Sequence, residues 1–258
     1  MAKVSIITPD HSRSVLLPQG YSGLQEAKAY LDGNSVLHLH LCEIDRDVAL
    51  RIEQTSIDRV LYVWRGGVKA SGHFLAEGSS IIVEHGRTCE INGGDTKSLV
   101  LAFSAAVASS QPRAGGHVHL LPVARVQRTD FGRTNGVSGG MHADSQCPTC
   151  EVWLHENSFP RQSSVTPEEE ARGIHSHSED EIIFVTDGQI RLGGHLCGPG
   201  TALAIAANTL YGFTAGPEGL RFVNFRAGTP GDIRFAHGEP MSEIGLWRDV
   251  SHPTYEEV

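Results

Sequence analysis

Positive charge is in short supply. Lys and Arg number 21 against 30 Asp and Glu, a formal net charge of −9. That balance argues against nucleic acid and anionic membrane as partners, because both are held by basic patches. Cysteine is scarce and odd in number: Cys42, Cys89, Cys147, Cys150 and Cys197. Five thiols make no disulfide framework and suit a reducing cytoplasm. No apolar run approaches the roughly 20 residues of a membrane span. Residues 1–10 carry one Lys and a short apolar stretch, so no secretory leader is expected. Helical periodicity is also weak. It predicts short helices only at Gln25–Leu31 and at Pro167–Arg172, the latter with Thr166 as N-cap and Pro167 at the first helical position.

What is present is a set of short apolar or alternating runs, such as Leu61–Trp64, Ser80–Val83, Ser98–Phe103, Ile182–Val185 and Leu220–Phe225. Gly, Asp, Asn or Pro bound them about every ten residues, the pattern of an all-β sandwich or barrel. The runs also repeat. Asp58-Arg-Val-Leu-Tyr-Val-Trp-Arg-Gly66 matches Asp180-Glu-Ile-Ile-Phe-Val-Thr-Asp-Gly188 at an offset of 122. Gly78 and Gly200 keep that offset, as do Phe103 and Phe225. Upstream, Val36–Leu41 resembles Glu151–Glu156 at a shorter spacing, so the second copy has the longer loop. The chain is an internal duplication. The predicted partition is a first barrel over residues 1–110, a linker and opening strand over 111–150, and a second barrel with its tail over 151–258. Within the linker, Gly116–Pro122 is expected to supply a strand that opens the second barrel.

The 14 histidines invite a search for ligand spacing. The strongest signal is Gly173-Ile-His175-Ser-His177-Ser-Glu-Asp-Glu181. Alternate residues of a strand share a face, so His175 and His177 project together. Glu181, again at even spacing, joins them across a turn. Two imidazoles and one carboxylate form a facial triad with open positions, the arrangement of non-haem Fe(II) oxygenases. His38-Leu-His40 and His117-Val-His119 have the same first spacing but no following Glu, and read as ordinary strand residues.

His-x-His, three residues, Glu, six residues, Gly resembles the first metal motif of the cupins. The resemblance covers roughly residues 35–103 and 150–226. It implies two tandem cupin (double-stranded β-helix, jelly-roll) barrels and one divalent metal per chain, with Fe(II) first and Mn, Ni or Zn as alternatives. The second cupin motif begins here as Pro199-Gly200, but Tyr211 stands where that motif ends in His. Tyr211 is read as a pocket hydrogen-bonding group, a ligand or a packing residue. In the first copy Arg59 takes the place of Glu181 and would repel a cation, so that barrel is expected to be metal-free and structural.

Strand parity nominates further pocket residues: Trp153 and His155 before the motif, Ile183 beside Glu181, Phe213 beside Tyr211, and Asn224 with Arg226 on a late strand. Asn in an apolar strand is costly unless paired or exposed. A buried Arg226 would suit a carboxylate substrate, while the plainer reading is a solvated charge at the strand end. Cys147-Pro-Thr-Cys150, with His142 near it, is read first as a reduced loop pair. A zinc clip or a redox dithiol are the alternatives.

Three functional readings follow. The first is an Fe(II) dioxygenase that takes a small organic substrate and O₂, with Tyr211 steadying an oxygen. The second is a metal-dependent isomerase or lyase in which Tyr211 or His155 moves a proton. The third is a non-catalytic small-molecule-binding bicupin. A homo-oligomer is compatible with each.

Overall fold

The computed structural model describes residues 3–132, 135–162, 166, 171 and 173–258. It divides into two compact units that do not follow the simple halves. One comprises residues 11–126, 145–152 and 253–258. The other comprises residues 1–10, 127–144 and 153–252. They are called here the first and second barrels.

Each barrel is an eight-stranded sheet with a smaller companion sheet, of five strands in the first and three in the second. In the first barrel the large sheet runs Glu26–Ala29, Leu37–Ile44, Ser98–Ala105, Arg59–Arg65, Ser80–Val83, Val118–Leu121. In the second it runs Ser138–Asp144, Trp153–Phe159, Phe213–Arg226, Glu181–Leu192, Ala202–Ile205, Val4–Ile7. The two orders match strand for strand, and all the pairings are antiparallel.

The duplication extends to single hydrogen bonds. Val63 N–H donates to Ser79 at 2.9 Å and Gly78 N–H to Val63 at 2.8 Å. Shifted by 122, Val185 N–H donates to Thr201 and Gly200 N–H to Val185, both at 2.9 Å. Gly78 and Gly200 have φ of +85° and +86°, in the left-handed region that glycine enters without steric cost. Gly188, which closes the motif, has φ +66°, and a Cβ there would lie 2.4 Å from the Gly219 carbonyl oxygen.

Two expectations are corrected. Gln25–Leu31 is not helical: Glu26–Ala29 is a strand whose Ala27 and Ala29 are buried while Glu26 and Lys28 face out. Val118–Leu121 does not open the second barrel; it pairs with Ser80–Val83 in the first. The matching strand of the second barrel, paired with Ala202–Ile205, is Val4–Ile7 from the N-terminus. The predicted helix at Pro167–Arg172 and its Thr166 cap lie outside the described residues, apart from Thr166 and Ala171 themselves. Among the described residues, no helix is long and apolar enough to cross a membrane, which says nothing of strands.

The first barrel buries an aliphatic core including Ile44, Leu61, Ile81 and Val100. The second packs Ile183, Val185, Leu203 and Phe222 together. A separate cluster of Met141, Trp153 and Trp247, flanked by Phe131 and Leu246, pins the tail to the second barrel. That tail carries a four-residue helix, Glu243–Leu246, capped by the Ser242 hydroxyl, which accepts from Gly245 N–H.

Candidate functional site

The motif is built as a short strand and a turn. His175–His177 pairs with Asp232–Phe235, placing His175 opposite Phe235 and His177 opposite Ile233. The turn after it is tied down because Gly231 N–H donates to Glu179 and Asp232 N–H to the Ser178 hydroxyl. On the other side, the main chains of His175 and Tyr211 exchange two hydrogen bonds of 2.9 Å. This bridge seats Tyr211 against the motif, with its ring centroid 4.6 Å from that of His175.

The long strands bring up the remaining groups. Asn224 stands between His155 and Ile183, and Arg226 lies opposite Trp153. Ile182 faces Phe225, so Glu181 comes beside Arg226. His155, Ile183, Asn224 and Arg226 border a cavity of about 190 Å³ in the second barrel. Its walls include His155, His175, His177, Ile183, Tyr211, Phe213, Asn224 and Arg226, joined by Phe222, Glu243 and Trp247. It is apolar toward Ile183, Phe213 and Phe222 and polar toward the histidines, as small-molecule sites usually are. Two predicted residues stand behind the wall. Trp153 is fully buried and donates its indole N–H to His155 Nδ1 at 2.7 Å. Glu181 is also wholly buried.

Hydrogen bonds fix which atoms the histidines present. His175 Nδ1–H donates to the Gly173 carbonyl at 2.7 Å. His177 Nδ1–H donates to the Glu243 carboxylate at 2.8 Å. In a neutral ring each such bond leaves Nε2 as the lone-pair nitrogen, the form that ligates a metal. Burial also lowers the pKa of His175, which favours the neutral ring. His155 is neutral too. Burial presses it down to about 3, and its Nδ1 is already committed to the indole.

Glu181 Oε2 accepts from Asn224 at 2.6 Å and from Arg226 at 3.0 Å. Burial by itself would raise the Glu181 pKa, but the Arg226 charge and then His177 outweigh it and hold the carboxyl ionised. Its other oxygen, Oε1, is buried with no hydrogen-bond partner, as is Asn224 Oδ1. Arg226 lies between two carboxylates, Glu181 and Glu243. The reading of Arg226 as a solvated charge at the strand end is therefore corrected: it is buried and paired with two carboxylates, at the cavity wall. Tyr211 is neutral, since burial, and next the Glu181 charge, push its pKa well up.

The fixed charges of the polar end are two carboxylates and one guanidinium, which leaves one negative charge. Together with two imidazole Nε2 atoms and an orphaned carboxylate oxygen, this donor set fits a divalent cation. His177 Nε2 is 3.9 Å from Glu181 Oε2, the oxygen that Asn224 and Arg226 hold. Among the described residues, the acidic, histidine and cysteine ligand atoms that all lie within 4.8 Å of one another belong to a different group: Glu84, His119, Cys147 and Cys150. That group is in the first barrel, the one expected to be metal-free. His142 is no part of it and faces Glu156 in the second barrel.

Sequence reasoning missed Glu243. It lies 62 residues beyond Glu181 on a helix of four residues, with no spacing rule to connect them.

Comparison with solved structures gives a likeness of fold. YlbA from E. coli, described under the family model DUF861, has a TM-score of 0.63 at 14% identity, over 86% of this chain and 90% of that one. A single-site mutant of oxalate decarboxylase OxdC from Bacillus subtilis has a TM-score of 0.63 at 11% identity, over 92% and 79%. The 7S globulin of Momordica charantia has a TM-score of 0.57 at 11% identity, over 85% and 83%. No protein-family model and no curated protein matches the chain. The fold is all-β: two cupin barrels in tandem, with a small pocket inside the second.

Proposed function

We propose that the second barrel is the site of a divalent-metal-dependent enzyme acting on a small organic molecule, with His175, His177 and Glu181 as ligands. The observation that carries this reading is the paired tautomers. Both histidines spend Nδ1 on fixed acceptors and keep Nε2 for a ligand, beside a buried carboxylate oxygen with no partner. An ion bound there would supply Lewis acidity, or in the case of Fe(II) a centre for O₂ chemistry.

The protein's own groups would do the rest. Asn224 and Arg226 lock the Glu181 carboxylate, and Glu243 orients His177. Ile183, Phe213 and Phe222 take the apolar part of the substrate and keep water out. The neutral Tyr211 hydroxyl hydrogen-bonds the Glu181 carboxylate and would have to turn from it to meet a substrate oxygen. Between the enzyme readings, the Fe(II) dioxygenase is preferred over isomerase or lyase chemistry. Two histidines and one carboxylate are the ligand set that non-haem Fe(II) oxygenases use.

The test is elemental analysis of untagged protein purified without oxygen, wild type beside His177→Ala and Cys147→Ser, followed by O₂ uptake with a panel of small substrates. One iron per chain that is lost in His177→Ala but kept in Cys147→Ser, with substrate-dependent O₂ uptake, is the expected result. Manganese, nickel or zinc in the same pattern, with turnover but no O₂ uptake, replaces the dioxygenase by the isomerase or lyase reading. No metal dependent on His177 after reconstitution overturns the enzyme reading and leaves a binding bicupin.

A further inference from the structure

The first barrel brings together four side chains that the cavity of the second barrel does not use. Glu84 follows the Ser80–Val83 strand, His119 lies on Val118–Leu121, and Cys147 and Cys150 come from the segment 145–152. His119 Nε2 is 2.7 Å from Glu84 Oε1. Cys147 Sγ is 3.6 Å from that same oxygen and 3.8 Å from that same nitrogen. Cys150 completes the group, with all four ligand atoms within 4.8 Å of one another. Glu84, His119 and Cys150 are buried, while Cys147 is part-exposed and leaves one side open to solvent.

Convergence separates the possible uses of such a group. A nucleophilic Cys-His-Glu relay needs the thiol on one ring nitrogen and the carboxylate on the other. Here both meet Nε2, and His119 Nδ1 has no hydrogen bond. Four ligands around one point is instead the arrangement of a closed metal site. In a zinc tetrahedron with bonds of about 2.0–2.3 Å, ligand atoms stand about 3.3–3.8 Å apart. The two sulfur distances already fall there, and the Glu84–His119 pair has to open by about 0.6 Å.

The surroundings are built to hold these ligands. Glu84 Oε2 accepts from His117 N–H at 2.9 Å, and Thr149 donates to Glu84 Oε1 at 2.6 Å. One Arg113 nitrogen donates to the carbonyls of Ser145, Cys147 and Cys150, which fixes the loop carrying both thiols. The His119 ring rests against Tyr255, with centroids 4.7 Å apart.

We propose that Glu84, His119, Cys147 and Cys150 form a structural zinc site that fastens segment 145–152 to the strands of the first barrel. Two thiolates with a neutral His and a carboxylate are borderline-soft donors of the kind zinc prefers, and all four positions are filled by protein, as in structural rather than catalytic sites. Binding exchanges the two thiol protons for one Zn²⁺ and involves no electron transfer. The Cys-x-x-Cys pair, weak as a motif by itself, becomes half of a complete ligand set.

The experiment is cobalt titration of the reduced, metal-free full chain, read by the near-ultraviolet thiolate-to-cobalt absorption band, with zinc competing. The expected result is one equivalent of Co²⁺ giving that band, displaced by zinc, lost in Cys147→Ser and Cys150→Ser, and unchanged in His177→Ala. Absence of the band from reduced wild-type protein overturns the proposal without reliance on any variant. Its persistence in folded Cys147→Ser, or its loss in His177→Ala, overturns it as well. The His177→Ala arm keeps the outcome separate from the fate of the second-barrel site.

Discussion

Glu181 and Arg226 stand side by side on neighbouring strands, joined by a 3.0 Å ion pair whose two side chains are only 1% exposed. Removing one partner of such a pair leaves the other as an uncompensated buried charge, at a cost of about 3–5 kcal/mol. Arg226→Met is therefore expected to lower the urea midpoint sharply. It also leaves Glu181 and Glu243 both uncompensated, so divalent metal should restore more stability to the variant than it adds to wild type. Equal metal responses in the two proteins would remove the cation reading of the cavity.

Glu243 holds His177 at Nδ1 and shares Arg226. Partners of this kind typically contribute 10–100-fold in metal affinity. Glu243→Gln is expected to weaken His177-dependent metal binding by about that factor, measured by competition with a chelator. An unchanged dissociation constant would deny Glu243 that role.

Tyr211→Phe keeps the ring that packs against His175 and removes only the hydroxyl. Because that hydroxyl hydrogen-bonds the buried Glu181 carboxylate, its loss costs about 1.5–3 kcal/mol in stability. If the hydroxyl meets a substrate oxygen, its loss is worth about one hydrogen bond, roughly a tenfold fall in kcat/KM. The variant should retain its metal. Full activity would return Tyr211 to a packing role.

The folded chain should weaken in mild acid through His155. Burial lowers its pKa from 6.5 to about 3, so between those values the unfolded chain takes a proton that the folded one refuses. Stability is whole above pH 6.5 and is lost as the pH falls toward 3, by about 2 kcal/mol at pH 5. His155→Gln should flatten that part of the pH profile of unfolding. A wild-type profile level from pH 7 to 5 would contradict the assignment.

Much of this was legible in the sequence because it is periodic. The offset of 122 connects residues that prove equivalent down to Gly78 and Gly200, and His175 and His177 share a cavity as alternation requires. What escaped was non-local. Glu26–Ala29 hid its alternation because its inward residues are alanines, which carry little hydrophobic signal. Arg226 was weighed as surface or substrate-binding because its partner Glu243 comes from the tail. His119 was set aside as a strand residue because Glu84 and Cys147 lie 35 and 28 positions away.

The exchanged end strands have a consequence for synthesis. Val4–Ile7 leaves the ribosome well before its partner, Ala202–Ile205, which follows about 200 residues later. At the other end, Glu256 pairs with Leu120, long since made. At roughly 5–20 residues per second, the first strand waits some ten seconds or more with its edge unpaired. Neither barrel is complete until nearly the whole of this sequence has emerged, so a nascent chain cut short exposes open sheet edges. For this duplicated fold, the period of greatest aggregation risk is translation itself.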